Sequence, residues 1–220
     1  MLYFLIISIL SCAQIPQAQP DWTVRPDNPN LTYSGRWDFT NHQAPWCDWQ
    51  GASISMNFNG TGIGIALDPG TRENWYRAIL DYDIENSIKF SVSPGGIRKT
   101  ILFNSLTPGQ HHIRVVKETR FGNETTFLGF GGVNGIGITA PPPPPNYKIE
   151  FYGDSNLAGY SLEHEENNSD NQYRGCELTY AGIVARRFNA EYHNISVSGE
   201  TISGMNSRFD QMKYELISRT

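Results

Sequence analysis

Apolar and polar residues alternate with a period of two through much of the first 140 residues. Residues 53–58 place an apolar side chain at every second position, an Asn-Gly pair follows at 59–60, and residues 63–67 resume the alternation. Two further alternating segments lie at 88–92 and 113–115. Because an Asn-Gly pair between alternating segments is a strong hairpin signal, this pattern predicts an antiparallel all-β domain, either a sandwich or a barrel.

The pattern changes after residues 141–145, which are five consecutive prolines. Such a run forms a stiff polyproline II spacer about 15 Å long. Residues 147–152 then predict a buried strand, 179–188 a helix and 190–197 a second strand, and this order is typical of a parallel βαβ unit. The helix is predicted from apolar side chains that recur every four residues: Tyr180, Val184 and Phe188.

These changes divide the chain into a leader, a β-sandwich, a linker and an α/β region: residues 1–18, 21–140, 141–146 and 147–220. A parallel sheet is normally covered by helices on both faces and needs several strands. Two predicted strands do not close such a core. We therefore expect the α/β region to be incomplete, as in a truncated product or a partial sequence.

The first 20 residues contain no Asp, Glu, Lys or Arg, and residues 2–10 are almost wholly apolar. This pattern predicts a signal peptide cleaved after Ala13 or Ala18 and thus a secreted protein, the alternative being a buried N-terminal strand. Five Asn-x-Ser/Thr sequences agree with a eukaryotic secretory route and a glycoprotein. These acceptor sequences begin at Asn30, Asn59, Asn123, Asn167 and Asn194.

Cysteine use leaves two possibilities open. Cys12 belongs to the predicted leader, so that Cys47 and Cys176 remain in the mature chain. In a secreted protein they either form a disulfide or stay as two free, buried thiols.

Composition excludes several classes of protein. Hydrophobic residues make up 39% of the 220, enough for a packed core, and the net charge is −5 with no basic run. We therefore expect no nucleic-acid partner. No apolar stretch reaches the length of about 18 residues that a membrane span needs, so we expect no membrane-spanning segment. No Cys or His cluster has zinc spacing, so no metal site is expected. We also expect a monomer without a cofactor.

Ser155 is the candidate nucleophile. It follows the first strand of the α/β region on a Gly153-Asp154-Ser155 turn that is expected to open a helix. Free backbone N–H groups at that position stabilise the oxyanion of an acyl-transfer intermediate. The alternative is a helix N-cap, in which Asp154 or Ser155 only binds helix donors.

Gly199 is the second candidate. It follows the second strand, and parallel strands end at the same edge of a sheet, where ligands bind. Its N–H is therefore expected to face the same pocket as Ser155, the alternative being a plain turn glycine. An aromatic group forms either a sugar-stacking platform or, as we prefer, part of the sandwich core. This group comprises Trp46, Trp49, Trp75 and Tyr76.

Two segments, 149–155 and 191–199, resemble the first and second sequence blocks of the SGNH (GDSL-like) hydrolases. Three others, 58–62, 106–111 and 116–119, are similar to the N-terminal jelly roll of carbohydrate esterase family 2. The order of jelly roll and SGNH domain is also that family's. The resemblance implies a jelly-roll sandwich followed by the start of a flavodoxin-like parallel sheet.

The same resemblance implies removal of acetyl groups from plant polysaccharides such as xylan or glucomannan. Ser155 would be the nucleophile, and the N–H groups of Ser155 and Gly199 would form part of the oxyanion hole. The partner would be an acetylated polysaccharide or oligosaccharide. The alternatives are a non-catalytic glycan-binding sandwich and an adhesive surface glycoprotein.

The chain departs from the family pattern at two points. Asn156-Leu157 follow Ser155 where the family usually has Ile-Thr. The family's later Gly-x-Asn-Asp and Asp-x-x-His segments, which supply a third oxyanion donor and the general base, have no counterpart. Because a serine hydroxyl is a poor nucleophile without a base, we expect negligible esterase activity for residues 1–220 alone.

None of the five histidines replaces that base on sequence grounds. His111 and His112 fall on a predicted sandwich strand, and His193 is expected to be buried in the second parallel strand. Of the five, which also include His42, only His164, in the loop after Ser155, is placed to approach the pocket.

Overall fold

The computed structural model describes residues 21–133 and 135–213. The predicted leader and Cys12 lie outside these residues. Within them, the strands before the prolines are Asp21–Val24 (β1), Thr32–Ser34 (β2), Trp37–Asp38 (β3), Trp46–Cys47 (β4), Ser53–Gly60 (β5), Ile63–Asp68 (β6), Asn74–Leu80 (β7), Ile88–Val92 (β8), Arg98–Phe103 (β9), Gly109–Lys117 (β10), Thr125–Gly132 (β11) and Gly137–Ile138 (β12).

These strands form the antiparallel sandwich that the alternation predicts. One sheet has the order β3-β4-β11-β6-β9 with β1 also on β11, and the other has β12-β5-β10-β7-β8 with β2 also on β5. β5 and β6 do not pair with each other, so the hairpin that the Asn-Gly pair indicates is not formed and these two strands lie in opposite sheets. Their alternating apolar side chains therefore meet across the sandwich core, where each is at most 3% exposed. They are Ile54, Met56 and Phe58 from β5 and Ile63, Ile65 and Leu67 from β6.

The outer face of β5 is also buried, although its side chains are polar. Ser53 and Ser55 are only 2% and 9% exposed, whereas the alternation predicts that this face is exposed to solvent. The cause is the α/β region, which packs against this sheet. Val116 and Ile79, from neighbouring strands, bury Cys176 of the α/β region in a small apolar cluster.

The α/β region contains the predicted parallel βαβ unit. Its elements are β13 (Tyr147–Gly153), α1 (Tyr180–Phe188), β14 (Ala190–Ser196) and the short helix α2 (Ile202–Met205), with 3-10 turns at Asn171–Tyr173, Cys176–Leu178 and Asn206–Arg208. β13 pairs with β14 in parallel from Tyr147↔Ala190 to Gly153↔Ser196. The prediction that β13 is buried is wrong, because within the described residues it pairs with β14 alone and its side chains are half-buried or exposed.

Helix α1 buries a different face from the one expected. Tyr180 and Phe188, which predicted the helix, are 51% and 56% exposed. The buried face consists of small residues, Ala181, Gly182 and Ala185. A Cβ atom at Gly182 would lie 2.1 Å from the carbonyl oxygen of Glu177, so the chain before α1 approaches the helix backbone directly.

Glu177 joins the sandwich to the α/β region. Its carboxylate is fully buried and accepts two hydrogen bonds from Arg114 of β10, at 2.8 and 2.9 Å. Arg186 of α1 donates at 2.8 Å and the hydroxyl of Tyr192 of β14 at 2.7 Å. Burial acts to raise the pKa of Glu177, but Arg114 and these hydrogen bonds outweigh it and hold the pKa below its ordinary value.

Both cysteines in the described residues, Cys47 and Cys176, are free thiols. Cys47 lies in the sandwich core and Cys176 in the contact with the α/β region, and both are buried. Of the two possibilities left open by the sequence, the structure has the free thiols. Burial raises the pKa of Cys47 to about 12, so this thiol is un-ionised at neutral pH.

None of the helices in the described residues is both long and apolar enough to span a bilayer.

We expect Glu177→Gln to lower the free energy of unfolding by about 3–5 kcal/mol, because it leaves Arg114 and Arg186 without their buried counter-charge. Urea unfolding at pH 7 measures this. Lys148→Ala is the matched control, because Lys148 is 82% exposed in its pair with Glu191 and its loss should cost about 1 kcal/mol or less. Equal losses for the two variants would contradict the role assigned to Glu177.

We also expect the free energy of unfolding to decrease as the pH is lowered, because of His112. This side chain is buried and stacks on Tyr82 at 4.1 Å, and burial, reinforced by Arg114, lowers its pKa to about 4. The unfolded chain, with a pKa near 6.5, takes up the proton first, so the native state is favoured above pH 6.5 and loses stability as pH falls toward 4. Between pH 7 and pH 5 the loss should be about 2 kcal/mol.

His112→Phe keeps an aromatic ring against Tyr82 and should remove that loss, as measured by urea unfolding at both pH values. The neighbouring His111 acts in the opposite direction. Its hydrogen bonds to the Thr107 carbonyl and to Asp81 raise its pKa, so the native state takes up this proton first and is stabilised as pH falls through 6.5. This contribution is the same in the wild type and in the variant, so it cancels in their comparison. An unchanged slope in the variant would assign the effect to another group.

Candidate functional site

The parallel pairing of β13 and β14 brings the two predicted site residues to one edge of the sheet. Gly153 pairs with Ser196, and the N–H of Val197 donates to the Gly153 carbonyl at 3.1 Å. Ser155 lies two residues beyond the end of β13, and Gly199 three residues beyond the end of β14. Both residues therefore lie at the carboxyl edge of the parallel sheet, as expected from the sequence, and α/β proteins bind ligands at this edge.

The segment after Ser155 is not the helix that the sequence predicts. The N–H of Ala158 donates to the Asp154 carbonyl at 3.1 Å, but the N–H of Tyr160 then donates to Ser155, one residue further back, at 3.0 Å. The helix stops after this one turn because Gly159 has a φ of +67° and packs against the backbone of Gly175. Residues 155–163 are therefore a series of turns.

Ser155 and Asp154 differ in their contacts, and Asp154 has the local role given in the alternative interpretation. The Asp154 carboxylate accepts the N–H of Asn156 at 3.0 Å. The Ser155 side chain is half-buried and its hydroxyl has no hydrogen-bond partner among the described residues. Gly153 permits this geometry, because a Cβ atom there would lie only 3.0 Å from two carbons of Leu157.

Gly199 lies in a tight turn in which the N–H of Glu200 donates to the Val197 carbonyl at 3.0 Å. Its φ of +78° belongs to the left-handed region that favours glycine at the third position of such a turn. Gly199 is exposed, and its N–H is not bonded to another described residue. It can therefore donate to a ligand at the same sheet edge as Ser155.

A buried polar network that the sequence reasoning missed supports the turn after Ser155. Gln50, from the sandwich, donates to the Ser196 carbonyl at 2.8 Å and to the Asn194 side chain at 3.3 Å. Asn194 in turn donates to the Leu157 carbonyl at 2.9 Å. The available signal was that Asn194 and Ser196 lie on the same strand face as Tyr192, and polar side chains on a buried face need partners.

No described histidine hydrogen-bonds to Ser155. His164 contacts Glu166 at 2.9 Å and the ring of Tyr173, both within its own loop. The expectation that His193 is buried is wrong, since its side chain is 25% exposed and lies between Glu150 and Glu191 at 3.0 and 3.3 Å. The outer position of His193 follows from its alternation with the buried Tyr192 and Asn194.

The aromatic residues divide between core and surface. Trp49 is 1% exposed and packs on Ile195 and Val197 of the α/β region, and Tyr76 is 2% exposed in the sandwich core. Neither can form a platform, as preferred from the sequence. Trp46 is half-buried at the sandwich edge, whereas the half-buried Trp75 lines a cavity of about 490 Å³.

Two of the five glycan-acceptor asparagines are buried in the fold. Asn123 and Asn194 are 4% and 1% exposed, and the Asn194 amide nitrogen is bonded to Leu157. A glycan on either would displace packed residues. Asn30, Asn59 and Asn167 retain partly or fully exposed side chains.

Comparison with known proteins identifies the family. Residues 33–142 match the family described as carbohydrate esterase 2 N-terminal. Among curated proteins, the cellulase/esterase CelE of Acetivibrio thermocellus is 33% identical over 185 residues, which are 83% of this chain and 22% of CelE.

Solved structures agree. A family two carbohydrate esterase from Clostridium thermocellum, in complex with cellohexaose, has 34% identity and a TM-score of 0.70 over 77% of this chain and 51% of that one. An acetyl xylan esterase from Butyrivibrio proteoclasticus, at 22% identity, shares the fold with a TM-score of 0.71 over 82% of this chain and 49% of that one. The chain thus spans about half the length of these structures, and through its sandwich and the region after it the chain belongs to carbohydrate esterase family 2.

Proposed function

We propose that this protein is a secreted carbohydrate esterase that removes acetyl groups from plant-type polysaccharides through a serine-bound acyl intermediate. Membership of carbohydrate esterase family 2 supports ester hydrolysis on a carbohydrate. The complex of a 34% identical relative with cellohexaose supports an oligosaccharide partner. The charge-free apolar leader supports secretion, and the resemblance of the sequence blocks supports acetyl as the acyl group.

The observation that carries the proposal is the in-register pairing of β13 with β14. It brings the half-buried Ser155 and the exposed N–H of Gly199 to the same sheet edge. In the proposed reaction the Ser155 oxygen attacks the acetyl carbonyl, and the N–H groups of Ser155 and Gly199 bind the oxyanion that forms. The sugar hydroxyl then leaves, and water releases acetate from the serine ester.

The attack requires a base to take the Ser155 proton, and no described histidine is bonded to this hydroxyl. An external base therefore gives a direct test of the serine. Imidazole in the assay buffer should accept the proton that a histidine accepts in Ser-His enzymes. Imidazole also cleaves activated esters on its own, so its effect has to be compared between variants and not with buffer alone.

With the 220-residue chain and 4-nitrophenyl acetate, we expect little Ser155-dependent hydrolysis in plain buffer and a rise with imidazole concentration. Ser155→Ala should reduce the rate to that of imidazole without protein, because the acyl acceptor is lost. The measurement is the initial rate of 4-nitrophenolate release.

Ser198→Ala is the matched control, since Ser198 is an exposed serine at the same edge beside Gly199. It should keep the wild-type response. Equal rates for the wild type and Ser155→Ala at every imidazole concentration would refute Ser155 as the nucleophile.

A further inference from the structure

A cavity of about 490 Å³ lies next to Trp75, away from the Ser155 edge. Its walls come from the start of β7 and the loop before it (residues 72–75), from a second sandwich loop at residues 120–123, and from residues 169–172 of the α/β region. Residues 169–172 belong to the loop region that follows Ser155 in the chain. The cavity is therefore formed jointly by the sandwich and by the segment that follows the candidate nucleophile.

Trp75 is held firmly at this cavity. The backbone N–H of Trp75 donates to the Thr119 hydroxyl at 2.5 Å, and its backbone carbonyl accepts the N–H groups of Glu118 and Thr119 at 2.9 and 3.2 Å. The indole is half-buried, so part of its surface remains open toward the cavity. These bonds fix the Trp75 backbone beside the cavity, and the open part of the indole offers a flat surface on which an apolar ring face can stack.

The polar groups of the cavity favour an uncharged ligand. Arg72 and Arg120 are matched by Glu73 and Asp170, so the charges on the lining cancel. The other lining side chains are amides and a hydroxyl: Asn123, Ser169, Asn171 and Gln172. Donors and acceptors are therefore mixed on this lining.

We infer that this cavity is a saccharide subsite in which Trp75 stacks on a neutral pyranose residue of the polysaccharide. A pyranose has an apolar ring face for the indole and hydroxyl groups that both donate and accept around its rim. The inference rests on the proposed function for the nature of the substrate chain. It adds a binding position on the sandwich side, separate from Ser155 and Gly199.

A second exposed aromatic provides a matched comparison. Tyr82 is 65% exposed at the far end of β7 from Trp75, and one face of its ring is covered by His112. It lines no part of the cavity. A loss of binding that occurs on substitution of Trp75 but not of Tyr82 therefore distinguishes this subsite from nonspecific binding to exposed aromatic side chains.

The test is isothermal titration calorimetry on the Ser155→Ala chain, which cannot form the serine ester. Cellohexaose, xylohexaose and mannohexaose are the neutral probes, and an oligogalacturonate is the charged one. Adding Trp75→Ala should weaken binding of the best neutral probe about tenfold, from lost stacking area. Adding Tyr82→Ala should leave it unchanged, and the oligogalacturonate should bind more weakly than the neutral probe.

If Trp75→Ala fails to fold, the pair Arg72→Ala and Gln172→Ala, both exposed lining residues, takes its place with the same expected loss. The inference is overturned if these variants bind like their parent, if no neutral probe binds the folded chain at millimolar concentration, or if the oligogalacturonate binds best. Trp75-dependent binding without Ser155-dependent hydrolysis would refute the esterase and leave the subsite standing. The reverse result would refute the subsite alone.

Discussion

The buried carboxylate of Glu177 is the constraint on which the arrangement of the two regions depends. A carboxylate removed from water is costly unless charges and hydrogen bonds replace the lost hydration. Here the partners come from the sandwich, from α1 and from β14: Arg114, Arg186 and Tyr192. The charge is satisfied only when all three elements are assembled together. The α/β region therefore has one favoured position on the outer face of the sheet that contains β10.

This docking gives the sandwich a direct part in shaping the candidate site. Gln50 belongs to the sandwich, yet it holds Ser196 and Asn194 of β14, and Asn194 fixes the Leu157 carbonyl two residues after the serine. Every link in this chain is buried. A displaced sandwich would leave several polar groups unpaired, so the position of the nucleophile turn is coupled to the domain before it.

The sequence was sufficient for features that depend on local period. Alternation predicted the inner face of the sandwich, and the strand-helix-strand order predicted that Ser155 and Gly199 share an edge. The sequence pattern was insufficient where the burial of a residue depends on packing between the sandwich and the α/β region. Ser53 and Ser55 are polar and buried because the α/β region covers them, whereas Tyr180 and Phe188 are apolar and exposed. The turns after Ser155 likewise depend on the approach of Gly159 to Gly175, a contact that local propensity does not encode.

The same reasoning explains why binding and chemistry would be linked in this fold. Residues 169–172 form one wall of the cavity, and Glu163, earlier in that segment, forms ion pairs with Arg77 of β7 and Lys89 of β8. The Glu163 N–H also donates to the Tyr173 carbonyl at 3.1 Å, which closes the loop on itself. Through Glu163 and Tyr173, strands of the sandwich thus hold one end of the wall formed by residues 169–172. A saccharide meets a preformed cavity, and ordering the loop costs little at the moment of binding.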